Sequence, residues 1–325
     1  IGCGAIAGGY DADRPEDAPP LTHAGAFTSE ERFAVTACVD PDNPARTAFA
    51  KRWDVPRDAA SLEELSAQAG EFDVISICSP TALHAAHLDA AIALKPRLIF
   101  CEKPVAADFA DAQRLVAACE DARIALAVNY TRRWAPDLVA LAGEVRAGAW
   151  GRVVSATGWY TKGVVHNGSH MVDLLAMFID GVAPWSSGKP VYDHWEHDPT
   201  VPALLKGDAG ANIHLVAGDA RAFTQFEAVL SCEKGEIAMR EGGFRIETRR
   251  VQDSGTFAGY RTLGPRESAQ GRYEEAMACA VANIADHLDS AKPLASTGRN
   301  ALEAHRTCED IRLCANRRNE KELAP

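Results

Sequence analysis

The 325-residue sequence has no apolar run approaching the ~18 residues that a membrane-spanning helix needs. It also lacks a surplus of positive charge: 34 Lys and Arg face 45 Asp and Glu, a formal net charge of −11. That balance argues against a nucleic-acid backbone or an anionic membrane as the main partner. The nine cysteines are odd in number, scattered from Cys3 to Cys314, and form no C-x-x-C pair. Several sit in apolar runs, the pattern of small hydrophobes kept as thiols, and the cytoplasm is the expected compartment. H-E-x-x-H motifs, low-complexity tracts and internal repeats are all missing, and no metal is expected. The first residue is not Met, and no charged n-region of a signal peptide is visible.

What is present is ordinary globular composition, 47% hydrophobic and 24% charged, in a length that suits about two domains. Residues 33–40 (FAVTACVD), 72–79 (FDVISICS), 98–101 (LIFC) and 124–129 (IALAVN) read as strands apolar on both faces. Helical patterns are expected at 22–30, 62–69 (with Ser61 as N-cap), 84–94 and 108–121. This alternation predicts an α/β, doubly wound parallel sheet over residues 1–128. From about residue 150 the pattern changes. Residues 152–160, 211–217, 222–232, 236–240 and 244–251 read as strands, the last three separated by E-K-G and E-G-G turns, an antiparallel meander. Helices at 273–288 and 299–315 close a second domain expected over residues 129–325.

The opening IGCGAIAGGY contains G-x-G-x-x-A at Gly2, Gly4 and Ala7, with Ala5 and Ile6 between them. Gly2 permits the tight turn, Gly4 lets a pyrophosphate approach the backbone, and Ala7 allows close helix–strand packing. Only Ile1 precedes the loop where a strand is expected, so the sequence given is expected to start part-way into that strand. Gly8 and Gly9 should cut the phosphate helix short. Asp40, closing FAVTACVD, is the candidate for the ribose hydroxyls, and its charge favours NAD over NADP. It lies well beyond the usual ~20-residue spacing, which the polar, Pro-rich segment 11–20 explains as an insertion.

At the C-terminal end of the LIFC strand stands Glu102-Lys103-Pro104, where open α/β sheets bind ligands. Partial burial can bring a Lys there into an acid/base range, with Glu102 holding it in place. Ser79-Pro80-Thr81 follows the neighbouring strand and leads into His84. In the second half, His166, His170 and Asp173 share one face if their segment is an α-helix, suiting proton transfer, sugar hydroxyls or a metal.

IGCGAIA, CVD, SPTALH, CEKP and NGSHMVDLL occur in the order seen in the glucose–fructose oxidoreductase/inositol dehydrogenase (Gfo/Idh/MocA) family, which the whole chain resembles. The resemblance implies an N-terminal Rossmann domain and a C-terminal α/β domain. The latter has an open, mainly antiparallel sheet that mediates homodimers or homotetramers. It also implies an NAD(P)-dependent oxidoreductase acting on a hydroxyl or keto carbon of a sugar, cyclitol or sugar derivative. Lys103 resembles the family's acid/base lysine, and His170 the His of its D-x-x-x-H motif. His166 stands where that motif has Asp, a departure. Asp173 matches a further recurrent position and is counted with the catalytic group. The expected cofactor contacts are Gly2, Gly4, Ala5, Ile6, Asp40, Ser79, Pro80, Thr81, His84, Glu102 and Lys103. The expected substrate contacts are Tyr130, Arg132, Tyr160, His166, Asn167 and His170. Two rivals share these motifs: a redox-neutral NAD-dependent glycosidase, and a non-catalytic dinucleotide-sensing regulator.

Overall fold

Runs of β-branched and aromatic residues with both faces apolar form short parallel strands when helices cover them. The computed structural model, which describes residues 1–15 and 17–323, shows this in the first half. β1 (Cys38–Val39) pairs in parallel with β2 (Asp58–Ala59), and β3 (Val74–Ile77), β4 (Leu98–Cys101) and β5 (Ala125–Val128) form a second parallel ladder. Ile1 and Gly2 connect the two. Ile1 N donates to the Ser76 carbonyl at 2.7 Å, Cys78 N to that of Ile1 at 2.8 Å, and Gly2 N to that of Val39 at 2.8 Å. The resulting order, β2, β1, Ile1–Gly2, β3, β4, β5, is that of a doubly wound sheet. Of the expected strand 33–40, only Cys38–Val39 finds a ladder partner.

The helices α1 (His23–Ser29), α2 (Asn43–Arg52), α3 (Leu62–Leu65), α4 (His84–Ala93) and α5 (Phe109–Asp121) flank these strands in sequence. Thr22, Asp42, Ser61 and Asp108 cap α1, α2, α3 and α5 with side-chain oxygens, about 1 kcal/mol each. α3 stops four residues short of the expected end because Ser66 turns into left-handed backbone, φ 50°. After the glycine loop no α-helix forms: turns lead into a single 3-10 turn at Gly9–Asp11. Gly8 is needed there for another reason too, since a Cβ would run into the Trp53 and Phe49 rings. Within the predicted insertion, Glu16 lies outside the described residues. Buried Asp11 closes this segment, accepting from Leu21 N at 3.0 Å, Thr22 N at 2.9 Å and Thr22 Oγ1 at 2.6 Å.

The second half contains α6 (Pro136–Arg146), β6 (Val153–Tyr160), α7 (Ser169–Ala176), β7 (Ala183–Ser187), β8 (Ala203–Lys206), β9 (Asn212–Ala217), β10 (Phe226–Cys232), β11 (Gly235–Arg240), β12 (Arg245–Asp253), β13 (Arg261–Leu263) and β14 (Glu267–Gln270). Its sheet runs β13-β12-β11-β10-β6-β9-β8-β7, with β14 also on β12; every pair is antiparallel except β6 with β9. The expected meander is β10–β11–β12. α7 settles on β6 because Gly158 has no side chain: a Cβ there would sit 2.6 Å from Met171 Sδ.

Two helices end the chain, α8 (Ala276–Ser290) and α9 (Gly298–Leu323). A contiguous division at 128/129 does not describe the contacts. One compact unit comprises Ile1–Pro136 and Glu274–Leu302, the other Asp137–Tyr273 and Glu303–Pro325. α8 returns to the first unit through Trp134 Nε1, which donates to Asn283 Oδ1 at 3.0 Å. Ser296 Oγ donates to the Val128 carbonyl at 2.7 Å, and Thr297 bridges Ala127 at the edge of β5. Among the described residues no helix is long and apolar enough to cross a membrane, and the nine cysteines form no disulfide.

Candidate active site

The C-terminal ends of the parallel strands gather most of the predicted cofactor residues. Gly2 adopts φ +87°, and a Cβ on it would lie 2.8 Å from Ser79 N, so the glycine loop and the Ser79 loop touch only because Gly2 is bare. A Cβ on Gly4 would meet no protein atom within 4 Å. Asp40 Oδ2 accepts from Cys3 N at 2.8 Å, and Oδ1 from Asp42 N at 2.8 Å. Each carboxylate oxygen keeps further acceptor capacity, so a ribose diol fits there, and the open side of Gly4 suits a pyrophosphate. Ala5 is exposed, Ile6 and Thr81 are half-buried, and Pro80 is exposed. Because the loop enters only a 3-10 turn, a long helix dipole is not part of this cradle.

His84 is a correction. Expected as a cofactor contact, it is 1% exposed, with Nδ1 2.7 Å from the Pro104 carbonyl and Nε2 2.8 Å from that of Ser79. Its ring ties the Ser79 loop to the Lys103–Pro104 turn. His87 Nδ1 lies 2.8 Å from Ser79 Oγ and braces the same loop.

Lys103 is half-buried, directly after β4 and before a cis peptide to Pro104. Glu102 turns inward. Its Oε1 lies 2.9 Å from His23 Nε2 and accepts from Asn129 Nδ2 at 2.6 Å, while His23 Nδ1 lies 2.6 Å from Ser76 Oγ. Burial acts to raise the Glu102 carboxyl. The hydrogen bond and charge of His23, the Asn129 amide and the Lys103 charge outweigh it and hold the group below the usual carboxylate range. Burial likewise acts to lower His23, but Cys78 and Glu102 outweigh it and raise the imidazole to about 10. His23 and Asn129 escape sequence reasoning. His23 sits beyond the insertion, 79 positions from its carboxylate partner, and only the tertiary fold joins them.

In the second unit the expected single helical face is replaced by a change of helix type. Gly163–Gly168 forms a π turn, and α7 begins at Ser169, so His166 and His170 do not share one α-helical register. Gly163, at φ +81°, leaves room for the Asp198 carboxylate. Asp198 accepts from Val165 N at 3.0 Å and His166 N at 2.9 Å, while burial pushes its carboxyl up. The His166 ring stands 4.4 Å from the Trp195 ring, and His170 6.4 Å from that of Phe226. Both histidines and Asn167 are half-buried, and Asp173 is 1% exposed in the core. Tyr160 is a second correction: it is fully buried, donating from its hydroxyl to the Val201 carbonyl at 2.7 Å and accepting from Val201 N at 3.0 Å, so it packs rather than presents itself to a substrate. Tyr130 is buried and Arg132 half-buried. Among the described residues no three or more His, Cys, Asp or Glu side chains are grouped to hold a metal ion.

Residues 1–130 match the family model described as an oxidoreductase family with an NAD-binding Rossmann fold. The chain is similar to a D-apiose dehydrogenase of Paraburkholderia graminis, 32% identical over 139 residues, covering 40% of this chain and 36% of that protein. It is also similar to an inositol 2-dehydrogenase of Acidothermus cellulolyticus, 32% identical over 138 residues, covering 41% and 39%. The match therefore spans about two fifths of these curated relatives. A crystal structure of an oxidoreductase from Agrobacterium radiobacter, in complex with NAD+, L-tartaric acid and magnesium, superposes with a TM-score of 0.72 at 18% identity, covering 90% of this chain and 92% of that one. Over residues 1–130 the chain is similar to the Gfo/Idh/MocA oxidoreductase family, whose model is described as an NAD-binding Rossmann fold.

Proposed function

We propose that this protein is an NAD-dependent oxidoreductase that interconverts a hydroxyl and a keto carbon on a sugar, cyclitol or sugar derivative. The observation that carries the reading is the meeting, at the C-terminal ends of the parallel strands, of the Gly2–Gly4 loop, Asp40, Ser79 and the Glu102-Lys103-Pro104 turn. The names of the relatives, D-apiose dehydrogenase and inositol 2-dehydrogenase, support the substrate class.

NAD, when bound, supplies a site for hydride transfer at its nicotinamide ring. The chain's own groups do the rest. Asp40 accepts the ribose hydroxyls and repels a 2′-phosphate, which favours NAD over NADP. Lys103 or His170 handles the proton on the substrate's hydroxyl oxygen, taking it in oxidation and returning it in reduction, worth roughly 10²–10⁴-fold. His166, Asn167 and Arg132 offer hydrogen bonds to neighbouring substrate hydroxyls. Asp173, buried on α7, acts from the core as a support for that helix. The protein works in the cytoplasm, where its cysteines remain thiols. It self-associates through the outward face of the large sheet, where Trp185, Leu204 and Val216 are exposed.

The test is a panel of sugars, inositols, sugar phosphates and nucleotide sugars with NAD, followed by NADH absorbance. Substrate-dependent NADH formation supports the reading. Aglycone release without NADH would replace it with the redox-neutral glycosidase, and NAD binding without turnover on any polyol with the regulator.

A further inference from the structure

Proton transfer by Lys103 makes no direct use of the buried His23–Glu102 pair, although Glu102 is its neighbour in the chain. We infer that His23 is a positioning residue for Lys103: it holds the Glu102 carboxylate turned inward and offsets its charge, and so sets how tightly the adjacent ammonium keeps its proton. The inference rests on the reading of Lys103 as an acid/base group.

The geometry restricts both partners. The His23 ring is 2% exposed, stacks 4.4 Å from the Phe100 ring, and is gripped at both nitrogens by Ser76 Oγ and Glu102 Oε1. Glu102 is in turn fixed by Asn129, whose Oδ1 accepts from Thr131 Oγ1 at 3.1 Å and whose amide also contacts Met277 Sδ of α8. The chain can thus move neither Glu102 nor His23 without breaking buried hydrogen bonds. The groups around His23 are few. Cys78 acts on it from the end of β3 and Glu102 from the end of β4, while the Lys103 charge acts on Glu102. Asp11, in the preceding loop, is occupied by Leu21 and Thr22 and pairs with Arg14. α1 carries no other charged side chain, and on α8 Asp286 and Asp289 pair with Arg32 at the surface. Three charges in series follow, imidazolium, carboxylate and ammonium. Removing the imidazolium leaves the carboxylate, still bonded by Asn129, to act on Lys103 alone.

The experiment titrates the Lys103 amine in the protein without added cofactor. Lysines are reductively dimethylated with an isotopic label, the Lys103 resonance is identified by its loss in Lys103→Arg, and its midpoint is followed by NMR against pH. His23→Gln should raise the midpoint by about half a pH unit or more, Glu102→Gln should lower it, and the double variant should return toward wild type. In turnover, the matching limb of the kcat–pH profile should move with the midpoint while NAD affinity stays within a few-fold. An unmoved midpoint in folded His23→Gln overturns the proposal. If that variant does not fold, Ser76→Ala, which removes the Nδ1 partner together with its 3.4 Å contact to Cys78 Sγ, should shift the midpoint and the kcat limb, and no shift overturns it equally. A wild-type protein with no dehydrogenase turnover would refute the functional reading and leave the amine titration as a separate result.

Discussion

Asp40 Oδ2 accepts a hydrogen bond from the Cys3 backbone N–H, 2.8 Å away and 37 positions earlier in the chain. One carboxylate thereby fixes the glycine loop and stands at the end of the neighbouring strand. Asp40→Ala should weaken NAD binding about 10–100-fold, the range for hydrogen bonds to a charged group, and narrow the preference over NADP. Calorimetric titration of both dinucleotides checks this; unchanged discrimination contradicts the ribose assignment.

Gly2 should tolerate no side chain. At φ +87°, with Ser79 N only 2.8 Å from where an alanine methyl would stand, Gly2→Ala combines backbone strain with a backbone collision. A loss of about 1–3 kcal/mol is expected, read as a lower thermal midpoint together with weakened NAD binding. A variant as stable as wild type would show that the two loops can separate freely.

The His23–Glu102 pair predicts how stability depends on pH. The folded imidazole is raised from its ordinary 6.5 to about 10, so its stabilising contribution is complete below 6.5 and disappears as pH climbs toward 10. The Glu102 carboxyl is depressed, so its contribution is present above its ordinary 4.5 and is lost as pH falls below that. Urea unfolding of wild type against His23→Gln should show the variant losing less stability between pH 7 and 10, near the raised imidazole value. Parallel curves would contradict the charged pair.

Asp198 holds the π turn by accepting from Val165 and His166. Asp198→Ala would leave both N–H groups without this acceptor, at a cost of about 1–3 kcal/mol, and release His166 from the Trp195 ring. Thermal unfolding and tryptophan fluorescence should both change; unchanged values would mean that other contacts hold the turn.

Much of the first unit is legible in the sequence because its signals are local. LIFC is buried on both faces and is β4, and the glycine loop, Asp40, Ser79 and Glu102-Lys103 sit where strand ends predict. What stays hidden depends on distant partners. In the sequence Glu102 reads as a brace for Lys103, yet its Oε1 is engaged by His23 and Asn129. Tyr160 lies on the same buried face of β6 as Ala156 and Gly158, and its hydroxyl is taken up by the distant Val201 backbone. The spacing of His166 and His170 fits an α-helix, and nothing nearby announces the π turn that Asp198, over thirty positions on, holds in place. β14, exposed at every residue, offers no apolar alternation to read.

Lys103 acting where a dinucleotide is held is the central claim. The most direct test is steady-state NADH formation by wild type and Lys103→Met on an accepted sugar or cyclitol, with NAD affinity measured for both. Turnover falling by about 10²-fold or more in the variant, with NAD affinity within a few-fold, is the predicted result. Equal turnover in the two proteins would contradict it.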